Sequence, residues 1–357
     1  VTDSVRIFDG HNDTLLDLHV DERGGGRTFF ERSETGHVDL PRARDGNLGG
    51  GFFAAFVPND GWEYERVETD EGYEMALPPA VDHERAKAFT YDLLARLHRI
   101  AAESRSRAES DGVLRVVGEY DDLEATLADP DTIAAVPHLE GAEAVAPDLS
   151  NLDFLYAAGV RSIGLAWSRP NAFAEGVKFE YPGTPDTGAG LTDAGQSLVR
   201  ACNERGIVVD LAHLTTAGFE DVADQTEDPL VVSHGAAHAV CPLSRNLTDA
   251  QLDAVADSDG VVGVTFAAGQ LRPDGGSDPD TPISTLVDHV EYVADRVGVE
   301  HVALGSDFDG AGILDAVGDV TGLPDVMDEI RSRGFDEAEI RAIARDNWLR
   351  VVRETWN

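Results

Sequence analysis

Eight short apolar runs recur along the chain, separated by longer stretches with helical spacing. The runs are VRIFD (5–9), GGFFAAFV (50–57), TIAAVPHL (132–139), VRSIGLAW (160–167), GIVVDLAH (206–213), PLVVSH (229–234), GVVGVTFAA (260–268) and HVALGSD (301–307). They lack clean apolar/polar alternation, as strands do when helices cover a parallel sheet. Helical patterns fall at roughly 82–105, 149–158, 192–204, 216–224, 249–257 and 283–297. Their punctuation agrees: Thr192 is placed to cap the third of them, and Gly206 to stop it. Eight strand–helix units predict an α/β fold, a (β/α)8 TIM-type barrel. At 357 residues the chain suits one such domain, 1–357, with insertions at about 21–49 and 58–131 and a terminal helical segment at about 324–355. The Gly/Pro-rich, acidic stretches 58–81, 171–190 and 269–282 are expected as loops, and VLRVVGEY (113–120) as a hairpin strand.

Charge narrows the partners. There are 67 Asp and Glu against 28 Lys and Arg, a formal net charge of −39, and only Lys87 and Lys178 are lysines. Such a surface offers nothing to phosphates, so nucleic acid and anionic membranes are not expected partners. Carboxylates interspersed among regular apolar runs describe a folded core under an acidic skin. With lysine this scarce, a salt-adapted, halophilic protein is expected. Cys202 and Cys241 make no disulfide framework, and no run of 18 or more apolar residues is present. A cytoplasmic protein is the expectation.

Several ionisable residues fall at the C-terminal ends of the expected strands. His11 and Asp13 follow the first, Glu140 the third; His213 ends the fifth, His234 the sixth and Asp307 the eighth. Singly, each has an ordinary structural role: a satisfied strand-end histidine, or an Asp capping a helix. Jointly they converge on the rim where barrel active sites are built. Three imidazoles with carboxylates suit zinc and are too nitrogen-rich for calcium or magnesium. Five ligands exceed the need of one tetrahedral ion that keeps a position open, so two ions bridged by a carboxylate are expected.

DGHNDTLL, LEGAE, VDLAH, VVSH, CPLSRNLTD and GSDFDG, in this order, resemble the membrane (renal-type) dipeptidase family, peptidase family M19, from residue 5 to about 315. The resemblance implies a metal-dependent hydrolase barrel with two zinc ions. It places His11 and Asp13 on one ion, His213 and His234 on the other, and Glu140 between them. It also implies Arg245 at the carboxylate of a dipeptide substrate, Asp307 beside the reacting centre as proton carrier, and a homodimer. Two departures stand out. The family's Glu-Gly-Gly-His is here Glu140-Gly141-Ala142-Glu143, and its Leu-Thr-His is Leu165-Ala166-Trp167. Trp167, at a substrate-contacting position, replaces the imidazole through its N–H, reshapes the pocket, or is a bulky rim aromatic. A metallo-dipeptidase is expected; the alternatives are an amidohydrolase acting on N-acyl amino acids and a non-catalytic metal-binding relative.

Overall fold

The computed structural model describes residues 5–61, 65–107 and 113–356. Eight parallel strands follow one another around a nearly closed barrel: β1 (Ile7–Asn12), β2 (Leu48–Phe56), β3 (Thr132–Glu140), β4 (Ser162–Gly164), β5 (Val208–Asp210), β6 (Val231–Gly235), β7 (Val261–Val264) and β8 (Val302–Leu304). Each overlaps one of the eight apolar runs. Closure between the last and the first runs through a bridge between Asn12 and Phe308, with Asp13 N–H donating to the Phe308 carbonyl at 2.8 Å and Asp307 N–H to that of His11 at 3.0 Å. Helices such as Asp193–Asn203, capped by the Thr192 side chain, pack their apolar faces on the outside of the sheet.

The barrel interior is layered. At its base Phe8, Phe52, Val136, Val208, Val231, Val261 and Ala303, one from each of seven strands, surround the fully buried indole of Trp348. Trp348 belongs to the terminal helix Asn347–Thr355, and its Nε1 donates to the Leu304 carbonyl at 3.0 Å. A Cβ at Gly10 would stand 2.4 Å from both this indole and the Ser233 carbonyl, so only glycine lets β1 pass there. Sheet pairing also slips between Asp9 and Asn12, a bulge that re-aims the residues leading into the site.

Two expectations need correction. Val113–Val116 is not half of a hairpin; it pairs parallel with Thr132–Ala135, because the helix Tyr120–Ala128 carries the chain back over a crossover. The stretches 58–81 and 171–190 are not merely loops. They supply Arg66–Glu68, Tyr73–Met75 and Phe179–Tyr181, a small antiparallel sheet beside the barrel mouth, whose three-residue strands are too short to show alternation. Among the described residues no helix is long and apolar enough to cross a membrane.

With a formal charge of −39, no arrangement of the chain's own cations can neutralise its carboxylates. We propose that this excess is an adaptation to salt. The melting temperature is expected to climb as potassium chloride rises from dilute to molar, as screening weakens the self-repulsion. A flat response would remove this explanation.

Candidate metal centre and active site

The strand ends deliver the six ionisable residues to one place. His11 Nε2 lies 3.6 Å from Asp13 Oδ2 and 3.7 Å from Glu140 Oε2. The other oxygen of Glu140, Oε1, lies 3.2 Å from His213 Nε2 and 3.7 Å from His234 Nε2. One carboxylate therefore presents a different oxygen to each group of ligands. Asp307 joins from a third side, grouped with His11 and His234 with all ligand atoms within 4.8 Å of one another. The Nε2 atoms of His213 and His234 are 3.0 Å apart. A tetrahedral ion with ~2.0–2.1 Å bonds to nitrogen sets its ligands about 3.3 Å apart, close to this spacing.

Residues beneath the rim aim these ligands. Asp210 accepts only, so the Ser233 hydroxyl donates to it at 2.6 Å and must accept from His234 Nδ1 at 2.9 Å. That fixes the tautomer of His234, with the lone pair on Nε2, toward the centre. His213 Nδ1 meets the Ser168 hydroxyl at 2.8 Å and Arg245 Nε at 3.1 Å. His138, bonded through Nδ1 to the Ser162 hydroxyl, packs edge-on against His11 with ring centres 5.4 Å apart. Asp210, Ser233, Ser168 and His138 are absent from the sequence-based site. For His138 a signal existed: it lies two residues before Glu140 on the same strand and so shares its inward face.

The electrostatics favour a cation. Burial works against charge on His11, yet Glu140, Asp13 and Asp307 outweigh it and raise its pKa to about 10. Burial pushes the Glu140 carboxyl well above its usual range, and lifts Asp307 to about 7 although His11 opposes the shift. His213 and His234 are held well below the usual imidazole value, first by burial and then by positive neighbours including Arg245. The field thus demands positive charge at the centre while two imidazoles stay neutral, His234 with its Nε2 lone pair available. Both ring nitrogens of His11, and Oδ1 of Asp13, are buried without a hydrogen-bond partner. Orphaned buried donors and acceptors are costly, and a divalent ion would satisfy His11 Nε2, the nitrogen that faces Asp13 and Glu140, together with Asp13. The residues present fit a metal centre.

Backbone strain is concentrated here. His213, Asp307 and Asp309 all adopt left-handed conformations, with φ of 66°, 62° and 65°. Each costs roughly 1–3 kcal/mol for a residue with a Cβ and is tolerated where the surroundings over-determine it. They do so at Asp309, which accepts from His37 N–H at 2.5 Å and from Arg27 at 3.1 Å.

The centre opens into a cavity of about 650 Å3, whose wall includes Phe56, Tyr73, Trp167 and Phe179. Trp167 stacks obliquely against Phe56 with centroids 5.0 Å apart, and its ring centre is 5.7 Å from that of His213. Behind it Arg169, fully buried, pairs with Glu143 at 2.6 Å and donates to Asn59 at 2.8 Å. Two of the positions that depart from the resemblance, 143 and 167, are therefore neighbours of one buried arginine. Arg245 sits behind His213, its Nη2 donating to the His234 carbonyl at 2.9 Å, with burial lowering its pKa to about 10.

A parallel barrel carrying clustered imidazoles and carboxylates at the C-terminal ends of its strands defines a metal-dependent hydrolase. The chain belongs to the membrane dipeptidase family, peptidase family M19, whose family model matches residues 1–357. It is 39% identical to the solved structure of dipeptidase AC, a metallopeptidase of the same family, with 99% of each chain covered and a TM-score of 0.90. A metallopeptidase from Rhodobacter sphaeroides, solved with a phosphinate mimic of the dipeptide L-Ala-D-Ala, is 38% identical, with 99% of this chain and 100% of that chain covered and a TM-score of 0.90. The dipeptidase tcpJ of Claviceps purpurea is 29% identical over 366 residues, 99% of this chain and 78% of that protein.

Proposed function

We propose that the protein hydrolyses the single peptide bond of dipeptides at a two-zinc centre held by His11, Asp13, Glu140, His213 and His234. The observation that carries this is the division of Glu140, one oxygen toward His11 and the other toward His213 and His234. Bound divalent ions supply a water nucleophile at neutral pH and a Lewis acid for the carbonyl. The chain's own residues do the rest. Glu140 spaces the two halves of the centre. Asp307, inside this ring of ligands, takes the proton of the attacking water and passes it to the leaving amine. Arg245 holds the substrate's free carboxylate, and that requirement limits length, since a longer peptide places a neutral amide there. Release of free amino acids from a dipeptide panel, by protein purified with zinc, tests the proposal. No release from any dipeptide would overturn it.

Trp167 keeps a second reading in play. N-acyl amino acids offer the same carboxylate and amide, and an aromatic wall where the family has an imidazole suits an acyl group. Faster turnover of N-acetyl amino acids than of the matching dipeptides would favour that alternative.

The carboxylate clamp has its own test. Arg245→Ala is expected to raise KM for dipeptides by about 10–100-fold, the worth of a charge-assisted contact. It should also narrow the gap between a dipeptide and its C-terminal amide, which never used the charge. A variant that rejects the amide as strongly as the parent would refute the assignment.

A further inference from the structure

In a chain this acidic, the charged lining of the cavity is unexpected. Besides Asp13, Glu140 and Asp307 at the centre, the charged residues that line it are two arginines, Arg23 and Arg66. Arg66 is matched, its Nε 2.7 Å from Glu68 and its guanidinium 3.8 Å from the centre of the Tyr73 ring. Arg23 differs. Its Nη2 donates to the Asp309 carbonyl at 2.6 Å, and among the described residues no carboxylate lies within ion-pair distance of it. One edge of an anchored guanidinium faces the cavity with its charge uncompensated.

The anchorage is built. Arg23 lies on the short helix Asp21–Gly24, and a Cβ at Gly24 would stand 2.2 Å from the Asp17 carbonyl, so this helix packs directly on the one before it. Arg27 then ties the segment to the site loop, bonding Asp17 at 2.7 Å and Asp309 at 3.1 Å. The side on which Arg23 stands is equally defined. Asp309 is two residues beyond Asp307, and the next residue, Gly310, is so near the first ligand pair that a Cβ there would be 2.3 Å from Asp13 Oδ2. Arg23 therefore flanks the His11–Asp13–Asp307 side of the centre, whereas Arg245 flanks the His213–His234 side.

We propose that Arg23 forms a subsite for an acidic side chain on the N-terminal residue of the dipeptide. This rests on the dipeptidase reading, with the substrate carboxylate at Arg245: the amino-terminal residue then extends toward Arg23. A guanidinium fork matches a carboxylate in two parallel hydrogen bonds. A strongly negative protein also repels anionic substrates, and a fixed cation at the entrance offsets that locally.

The experiment compares kcat/KM for Glu-Ala, Gln-Ala, Lys-Ala and Ala-Glu in the parent, Arg23→Gln and Arg23→Glu, all at one ionic strength. Because Arg23 is exposed, a moderate preference is expected, about 5–10-fold for Glu-Ala over Gln-Ala in the parent. That ratio should fall to near one in Arg23→Gln, and Lys-Ala should overtake Glu-Ala in Arg23→Glu. Equal rates for Glu-Ala and Gln-Ala in the parent, or a ratio untouched by Arg23→Gln, would overturn the subsite and leave the dipeptidase reading standing. A parent preference for Ala-Glu over Glu-Ala would overturn its assignment to the N-terminal residue. Hydrolysis of none of the four, nor of any dipeptide of the wider panel, would overturn both.

Discussion

Asp307→Asn is expected to lower kcat by a factor on the order of 10²–10⁴ while leaving KM nearly unchanged. The substitution keeps the shape of the side chain and removes its capacity to take a proton. The left-handed backbone at 307 tolerates Asn almost as well as Asp, so the fold should survive. The loop around it is independently fixed by Asp309 with Arg27 and His37. A group used only as the reaction proceeds affects kcat, whereas one that merely helps to hold substrate affects KM. Steady-state kinetics on a good dipeptide therefore separate the roles. A near-normal kcat would remove Asp307 from the chemistry.

The larger effect is expected from Glu140→Gln. Its charge sits between the two ligand groups, so the variant should bind less than the two zinc ions per chain expected of the parent, as read by elemental analysis. Dipeptide hydrolysis should fall on the order of 10³–10⁶, as when a member of a unit that acts together is removed. Stability should respond in the opposite sense when both proteins are stripped of metal. Burial opposes a charged Glu140, and a neutral amide of the same shape relieves that penalty. The metal-free variant is then expected to melt no lower than the metal-free parent, while only the parent gains strongly on adding zinc. A variant that retains two ions and full activity would show that the centre does not depend on this bridge.

The parts of this molecule legible in its sequence are those whose signal is periodic or chemical. The eight barrel strands announce themselves through apolar runs, and the ligands through imidazoles and carboxylates at the ends of those runs. His11 illustrates why: no other residue type offers the same lone pair, so its identity alone raises the question of a metal. Ser233 and Ser168 carry no such mark. They are ordinary hydroxyls whose task exists only because β6 and the segment after β4 bring them against His234 and His213. The sheet beside the cavity was missed for a different reason. Strands such as Phe179–Tyr181 are too short for periodicity, and only pairing across more than a hundred residues creates them. Arg23 lay hidden because an exposed arginine on a short helix looks solvated until Asp309 is seen to hold it.

The tryptophan at the base of the barrel bears on the order in which the protein is made. Trp348 follows all eight strands in the chain, yet the wall it fills begins with Phe8 and Phe52. During synthesis the first strands therefore leave the ribosome long before their closing partners exist. Until then β1 presents an unpaired edge, the hazard that slow, long-range parallel pairing carries. The ligands of the centre come from β1 through the segment after β8, so their gathering waits for the last strand. A growing chain that still lacks β8 therefore cannot present the finished metal centre.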